Sequence, residues 1–482
     1  MEKLIITGGN KLQGTTRVSG SKNVALKAAV AACLTGEEVT IHNVPLLSDF
    51  RIMMDIIKEF GGTVKSTDHT VVIQLKEFKS SKISLEEAAL TRTASMFIAP
   101  LLARNSYAII PNPGGCRIGA RPIDRTIDGL KQMGAEIDYV SEDGFFHAKT
   151  HGDEIGSRPM DRTIKGLEEM GADIDYDDSE RTFHAVSNDS GRLKGVHYRF
   201  DKNTHTGTET LIIASTLADG KTTLENAAQE PEIDELIQML NSMGAKIKRI
   251  KPRIIEIIGV KKLHGTTFTI SPDRNEIVTF AIGAIATKGD IFIEGARKEG
   301  LEEFLIELDA VGGGYEIAKN GIRFYYKKPL KATDITTTPY PGFMTDWQAP
   351  WAILMTQASG KSVVHETVFE SRFGYVKELQ KMGAKIEMFN PKVDSPETVY
   401  NFNIEDEEAG SFHAITIAGP KHLHSASVEI SDLRAGTTLA IAALVADGTT
   451  TITGIEKLDR GYEAFEKRLT HLGASVKRVP VN

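Results

Sequence analysis

The chain has 482 residues, 41% of them hydrophobic and 25% charged, enough for two or three cores of an ordinary globular protein. Its net charge of −8, with Lys and Arg scattered along it, argues against general nucleic-acid binding, and no run nears the roughly 18 apolar residues that span a bilayer. Two cysteines and an N-terminus without a basic-then-apolar leader point away from disulfide support and toward a reducing cytoplasm.

In chain order, the first twenty residues are strand-like (LIITGG, KLQGTTRVSG) and are expected to belong to the far domain. An Ala-rich helical stretch follows, in which Cys33 reads as core. From there two signatures alternate. One is an amphipathic helix ending in Gly and followed by a short strand, as in DFRIMMDIIKEFGGTV (49–64) or RFGYVKELQKMGAKI (372–386). Apolar residues recur at i, i+3, i+4 and i+7, and the Gly sits where a left-handed C-cap is needed. The other is a small-residue helix, a Gly turn and an alternating strand, as in TLADGKTTLENA (216–227) or LVADGTTTITGI (444–455). In LLARNSYAIIPNP, Asn105 stands in place of the turn Gly.

The capping glycines fall at 61, 134, 171, 244, 312, 383 and 473, with steps of 73, 37, 73, 68, 71 and 90. The short step marks a duplication: 158–185 repeats 121–148 at an offset of 37, with 17 of 28 positions identical. Six units then remain, each helix–strand–helix–strand–strand. They predict an α/β fold of two domains with sheets outside and small-residue helices packed inward, plus an extra αββ half-unit. The boundaries expected are 22–269, including an inserted duplicate at about 150–190, and 1–21 with 270–482, with a hinge at Pro272 and Asp273 and a site in the cleft.

The stretch with the most chemical content is PGGCRIGAR (113–121), which sets Cys116 in a Gly-rich loop between Arg117 and Arg121. A thiol beside fixed positive charge suits nucleophilic or acid–base chemistry, although a Gly-rich turn that happens to hold a cysteine reads the same way. No CxxC or HExxH spacing occurs, and HLHS (422–425) reads as an exposed strand or loop, so no metal is expected. An anionic substrate would need a local Arg and Lys cluster, since the global field opposes it.

Seven motifs stand in order: VSGSKN (18–23), PGGCRIGARP (113–122), AAQEPEI (227–233), YPGFMTDWQAP (340–350), FESRF (369–373), DLRAG (432–436) and LDRGY (458–462). With them the chain resembles the enolpyruvyl transferase family, in its UDP-N-acetylglucosamine 1-carboxyvinyltransferase branch, over its whole length apart from the duplicated segment. The resemblance implies an inside-out α/β barrel of two domains. It implies transfer of the enolpyruvyl group of phosphoenolpyruvate to the 3-hydroxyl of UDP-N-acetylglucosamine through a tetrahedral intermediate, without metal or organic cofactor. Lys22, Arg121 and Arg460 would hold the phosphate and Arg372 and Arg434 the carboxylate, with Arg92 a further basic candidate for either substrate. Cys116 would deliver the proton to the methylene carbon, and Asp346 would act as base toward the sugar hydroxyl, or simply cap the helix begun by WQAPWAILM. Asn23, Pro122, Asp124, Lys202, Thr204 and Val368 match nucleotide-contacting positions, and Asp49, Glu230 and Asp432 match supporting ones. A monomer or weak homo-oligomer is expected, with no nucleic-acid or membrane partner.

Three departures stand out: Thr126 where the family often has His, the unusual turn NTHTGT (203–208), and DRNEIVTF (273–280) without the expected small residues. The duplication supplies a second RPMD (158–161). Loop closure suggests that the first copy docks because it adjoins Cys116; if the second docks, Arg158 and Asp161 inherit the uridine contacts. A non-catalytic sugar-nucleotide-binding paralogue and a shikimate-pathway enolpyruvyl transferase are the alternative readings.

Overall fold

Glycine decides where each first-signature helix ends. The computed structural model describes residues 2–84, 86, 90–111, 136–140, 145–149, 161–177, 182–187, 192–402, 404 and 410–481. Within them Gly61, Gly171, Gly244, Gly312, Gly383 and Gly473 all take φ between 90° and 97°, where a Cβ would be strained. Each is followed by a strand that pairs antiparallel. Five of these strands turn back into a second strand, as Thr63–Thr67 does with Thr70–Gln74 and Lys246–Lys251 with Ile254–Ile258. The sixth, Ser475–Pro480, pairs with the N-terminal strand Glu2–Thr7. One turn differs from expectation: at the end of helix Ile98–Asn105 the left-handed residue is Ser106, at φ 59°, one place beyond Asn105.

The second-signature helices are Lys22–Ala32, Ile98–Asn105, His205–Ser215, Arg274–Ala286, Thr345–Thr356 and Leu433–Val445. They are apolar or small nearly all round; every residue of Arg274–Ala286 is buried. The last three of them pack on one another, as small side chains permit. The buried apolar residues form two clusters, one from Val24 to Ile270 and one joining Leu4–Val18 to Ile277–Ala474. Cys33 lies in the first, fully buried, and burial pushes its thiol up to about 12.

The sheets share one pattern. A parallel edge strand joins each of five: Thr267–Thr269 beside Val39–His42, His197–Arg199 beside Lys221–Glu225, Gln13–Arg17 beside Asp290–Glu294, Ile335–Thr336 beside Gly360–His365, and Ser427–Glu429 beside Thr449–Thr453. In another, Lys82 makes a single parallel bridge to Ile109. No described helix is long and apolar enough to cross a membrane.

The duplication resolves against the expectation from loop closure. Strand Tyr107–Pro111 pairs with Thr182–Ser187, which pairs in turn with Ala172–Asp177, so the second copy completes this sheet. Its helix Asp161–Glu169 packs on His205–Ser215 so closely that a Cβ on Gly166 would lie 2.3 Å from Leu211 Cδ1. The first copy's strands Glu136–Val140 and Phe145–Lys149 pair with each other as a separate two-stranded sheet. Closure entropy could not choose, because it grows only logarithmically and excursions of similar length differ by roughly a few tenths of a kcal/mol. A side chain favours the second copy: Thr182, 2% exposed and within 3.1 Å of His184 Nε2, corresponds to the much larger Phe145. Thr182→Phe, which installs the first copy's residue, should lower the unfolding free energy by about 1–3 kcal/mol through overpacking, measured by urea denaturation.

Candidate active site

Two carboxylates, each held between two cations, organise the polar centre. Asp346 lies in the first turn of helix Thr345–Thr356, whose N-cap is Met344, so it favours the helix dipole without being the cap. Its Oδ1 accepts from Arg372 Nη2 at 2.6 Å and its Oδ2 from Arg434 Nη2 at 2.8 Å. Burial alone would push the Asp346 carboxyl up, but the Arg434 and Arg372 guanidiniums outweigh it and hold it well below the usual carboxylate range.

Each guanidinium is itself positioned. Asp432 caps helix Leu433–Val445 by accepting from the Arg434 and Ala435 backbone N–H groups at 2.9 and 3.1 Å. Arg434 Nη1 donates to Tyr462 Oη at 2.9 Å, which shares a 2.8 Å hydrogen bond with Thr279 Oγ1. Arg372 rests over the Phe369 ring at 5.4 Å, and its carbonyl accepts from Gln348 Nε2 at 3.1 Å.

The second carboxylate is Asp49, 3% exposed in the first turn of helix Ser48–Glu59. It pairs with Lys22 Nζ at 2.7 Å and Arg460 Nε at 2.9 Å. Burial pulls the Lys22 ammonium down; Asp49 opposes this, while Arg460 and Arg434 add to the decrease. The two stations thus share one field. The Lys22 backbone N–H donates to Asp273 Oδ2 at 3.1 Å, and Asp273 also caps helix Arg274–Ala286 through Asn275 and Glu276. Burial and the neighbouring Glu276 push Asp273 up to about 6. Asp273, expected at a hinge, is thus a buried helix cap.

Lys22, Asp49, Asp346, Arg372, Arg434 and Arg460 are brought together, supported by Asp432. Asn23 is half-buried in the first turn of its helix, and Arg92 is exposed at the start of 3₁₀ helix Arg92–Phe97. Glu230 is the N-cap residue of helix Pro231–Ser242, and its buried Oε2 has no hydrogen-bond partner among the described residues. Lys202, Thr204 and Val368 form a separate group: Thr204 Oγ1 caps helix His205–Ser215 at Gly207 N. Cys116, Arg121, Pro122, Asp124 and Arg158 lie outside the described residues.

Sequence reasoning missed Glu366, fully buried, which accepts from Thr345 Oγ1 at 2.8 Å and from the Val368 and Phe369 N–H groups at 2.8 and 3.1 Å. It also missed the buried pair Glu232–Arg274 at 2.8 Å. A buried acid within an apolar run was the one available signal, since such groups need partners. Asp346→Asn would take from two buried guanidiniums the carboxylate that both hydrogen-bond and should lower stability at pH 7 by about 3 kcal/mol. A depressed carboxyl stabilises above its unfolded pKa, so the gap between variant and parent should narrow as pH falls below about 4; urea titrations at stepped pH measure it.

The family profile for EPSP synthase (3-phosphoshikimate 1-carboxyvinyltransferase) matches residues 6–153 and 144–469, so each match contains one copy of the duplication. The chain is 38% identical over 478 residues to the UDP-N-acetylglucosamine 1-carboxyvinyltransferase of Lawsonia intracellularis (strain PHE/MN1-00), covering 99% of each. It is 37% identical over 479 residues to that of Desulforapulum autotrophicum (strain ATCC 43914 / DSM 3382 / VKM B-1955 / HRM2), covering 99% of this chain and all of the relative. Among solved structures, the enolpyruvyl transferase NikO from Streptomyces tendae superposes with a TM-score of 0.79 at 20% identity, covering 100% of this chain and 99% of that one. An EPSP synthase from Acinetobacter baumannii gives 0.69 at 18% identity over all of both chains. Both structures share the mixed α/β fold.

Proposed function

The chain belongs to the UDP-N-acetylglucosamine 1-carboxyvinyltransferase family, and on that premise we propose that it transfers the enolpyruvyl group of phosphoenolpyruvate to the 3-hydroxyl of UDP-N-acetylglucosamine, releasing phosphate, in peptidoglycan precursor synthesis. The observation that carries this reading is the pair of ion-pair stations in which Lys22 and Arg460 hold Asp49 and Arg372 and Arg434 hold Asp346. Four basic side chains are thereby gathered at one place in a chain of net charge −8 whose Lys and Arg are otherwise scattered. That is the chemistry that a small molecule with both a carboxylate and a phosphate requires.

In this reading the methylene carbon of phosphoenolpyruvate takes a proton from Cys116, the sugar 3-oxygen bonds to C2, and Asp346 accepts the hydroxyl proton. The tetrahedral adduct then loses phosphate, held by Lys22, Arg121 and Arg460 and leaving with the proton taken up by Asp346, while a methyl proton returns to the Cys116 thiolate and restores the double bond. Asp346 paired with two guanidiniums is too weak a base for this step. The carboxylate of phosphoenolpyruvate competes for the same Arg372 and Arg434, so its arrival loosens both ion pairs and raises the basicity of Asp346 where the sugar hydroxyl waits.

Six three-stranded motifs with inward helices, gathered as two domains at 22–269 and 1–21 with 270–482 around an interdomain cleft, are the architecture proposed; the two hydrophobic clusters support it. With the second copy in the sheet, the uridine contacts pass from Pro122 and Asp124 to Arg158 and Asp161. No metal or organic cofactor and a cytoplasmic location go with the reading. A non-catalytic paralogue would have no need of Lys22, Asp346, Arg372 and Arg434, all of which are retained.

Phosphate release that requires both substrates tests the function; none at high enzyme concentration, despite nucleotide binding, would sink it. An epoxide phosphonate of the fosfomycin type should add to Cys116 by intact mass, faster with sugar nucleotide present, and should leave Cys116→Ser unmodified. Asp161→Ala should raise the KM for the sugar nucleotide about tenfold, while Asp124→Ala leaves it within about twofold.

A further inference from the structure

Three described hairpins turn in two residues, whereas 24 residues (390–413) join strands Lys385–Phe389 and Ala414–Gly419. Their described part is not a loose excursion. One helical turn, Pro396–Val399, leads into Tyr400, whose ring stacks on His413 at 4.8 Å and on Phe402 at 5.0 Å. Tyr400 Oη lies 3.2 Å from His365 Nε2. These contacts fasten the segment to its own sheet.

Asn401, next in the chain, bonds in two directions. Its backbone N–H donates to Thr367 O at 2.8 Å, one residue before Val368. Its side-chain amide clamps Asn203: Oδ1 accepts from Asn203 N at 3.1 Å and Nδ2 donates to Asn203 O at 2.9 Å. Lys202 Nζ donates to the carbonyl oxygens of Glu397 and Tyr400, the latter at 2.9 Å. One residue thus joins the turn 202–204 to the strand end at 367–368, segments 165 positions apart that the functional reading gives to one nucleotide. An ammonium has three donors and the carbonyls take two, so the third is aimed rather than left to rotate.

We propose that segment 395–401 is a strap that positions the sugar-nucleotide site, with Asn401 as its positioning residue: it sets the spacing between the Lys202–Thr204 turn and Val368 and orients the Lys202 ammonium toward a phosphate oxygen. This rests on the reading that Lys202, Thr204 and Val368 contact the sugar nucleotide. It also accounts for the unusual NTHTGT turn, because Asn203 is held through its main chain and the grip comes from outside the turn.

Full-length Asn401→Ala and Asn401→Asp test it; the aspartate is isosteric but cannot donate to Asn203 O. The KM for UDP-N-acetylglucosamine should rise about tenfold in both, and UDP affinity measured by calorimetry should fall in step. The kcat and the KM for phosphoenolpyruvate should stay within about twofold. A nucleotide KM within twofold of the parent, parallel loss of all three constants, or failure of both variants to fold would overturn the strap. If the parent releases no phosphate, the transferase reading fails by itself and UDP binding judges the strap, with equal affinity in parent and variants counting against it. A parent that neither turns over nor binds UDP overturns both.

Discussion

Asp346 between Arg372 and Arg434 is the interaction on which the rest of the site depends. A carboxylate and two guanidiniums taken largely out of water are stable only as a set, since each loses hydration that only the others replace. Their positions are correspondingly over-determined. Asp346 is set by the first turn of a buried helix, Arg434 by the Asp432 cap and Tyr462, and Arg372 by Phe369 and the Gln348 side chain. Asp49 repeats the device with Lys22 and Arg460. In the proposed reading, these cations are held on the protein's own carboxylates until a substrate bearing better-placed anions takes them over.

Much of the fold was legible because it is periodic. Glycines at nearly constant steps marked the helix ends, and the six within the described residues take the left-handed conformation expected of them. The motif residues that converge at the two carboxylates were legible from the resemblance, not from spacing: nothing in a scattered Asp49 and Arg460 says that they meet. The role of Asp273 was not legible, because an Asp after Pro does not say that its side chain caps a helix and holds Lys22 N. Glu366 and Asn401 carried no periodic signal at all, one buried in a strand end and the other in an aperiodic connection.

The duplication shows a different limit. Its two copies share most of the residues that would face a core, so pattern alone could not say which would be used, and chain entropy is too flat a function of length to decide. Thr182 against Phe145 is a difference that packing can feel. The 390–413 connection, the other long departure from the repeat, leaves the pairing of Lys385–Phe389 with Ala414–Gly419 regular and is bonded to the opposite half of the chain.

The most direct test of carboxylate exchange is the affinity of Asp346→Asn for phosphoenolpyruvate, measured calorimetrically with sugar nucleotide bound. If the substrate carboxylate must displace Asp346 from Arg372 and Arg434, the variant, whose guanidiniums no longer hydrogen-bond a carboxylate at residue 346, binds phosphoenolpyruvate several-fold more tightly than the parent while losing turnover. Equal or weaker binding in a folded variant would contradict the account.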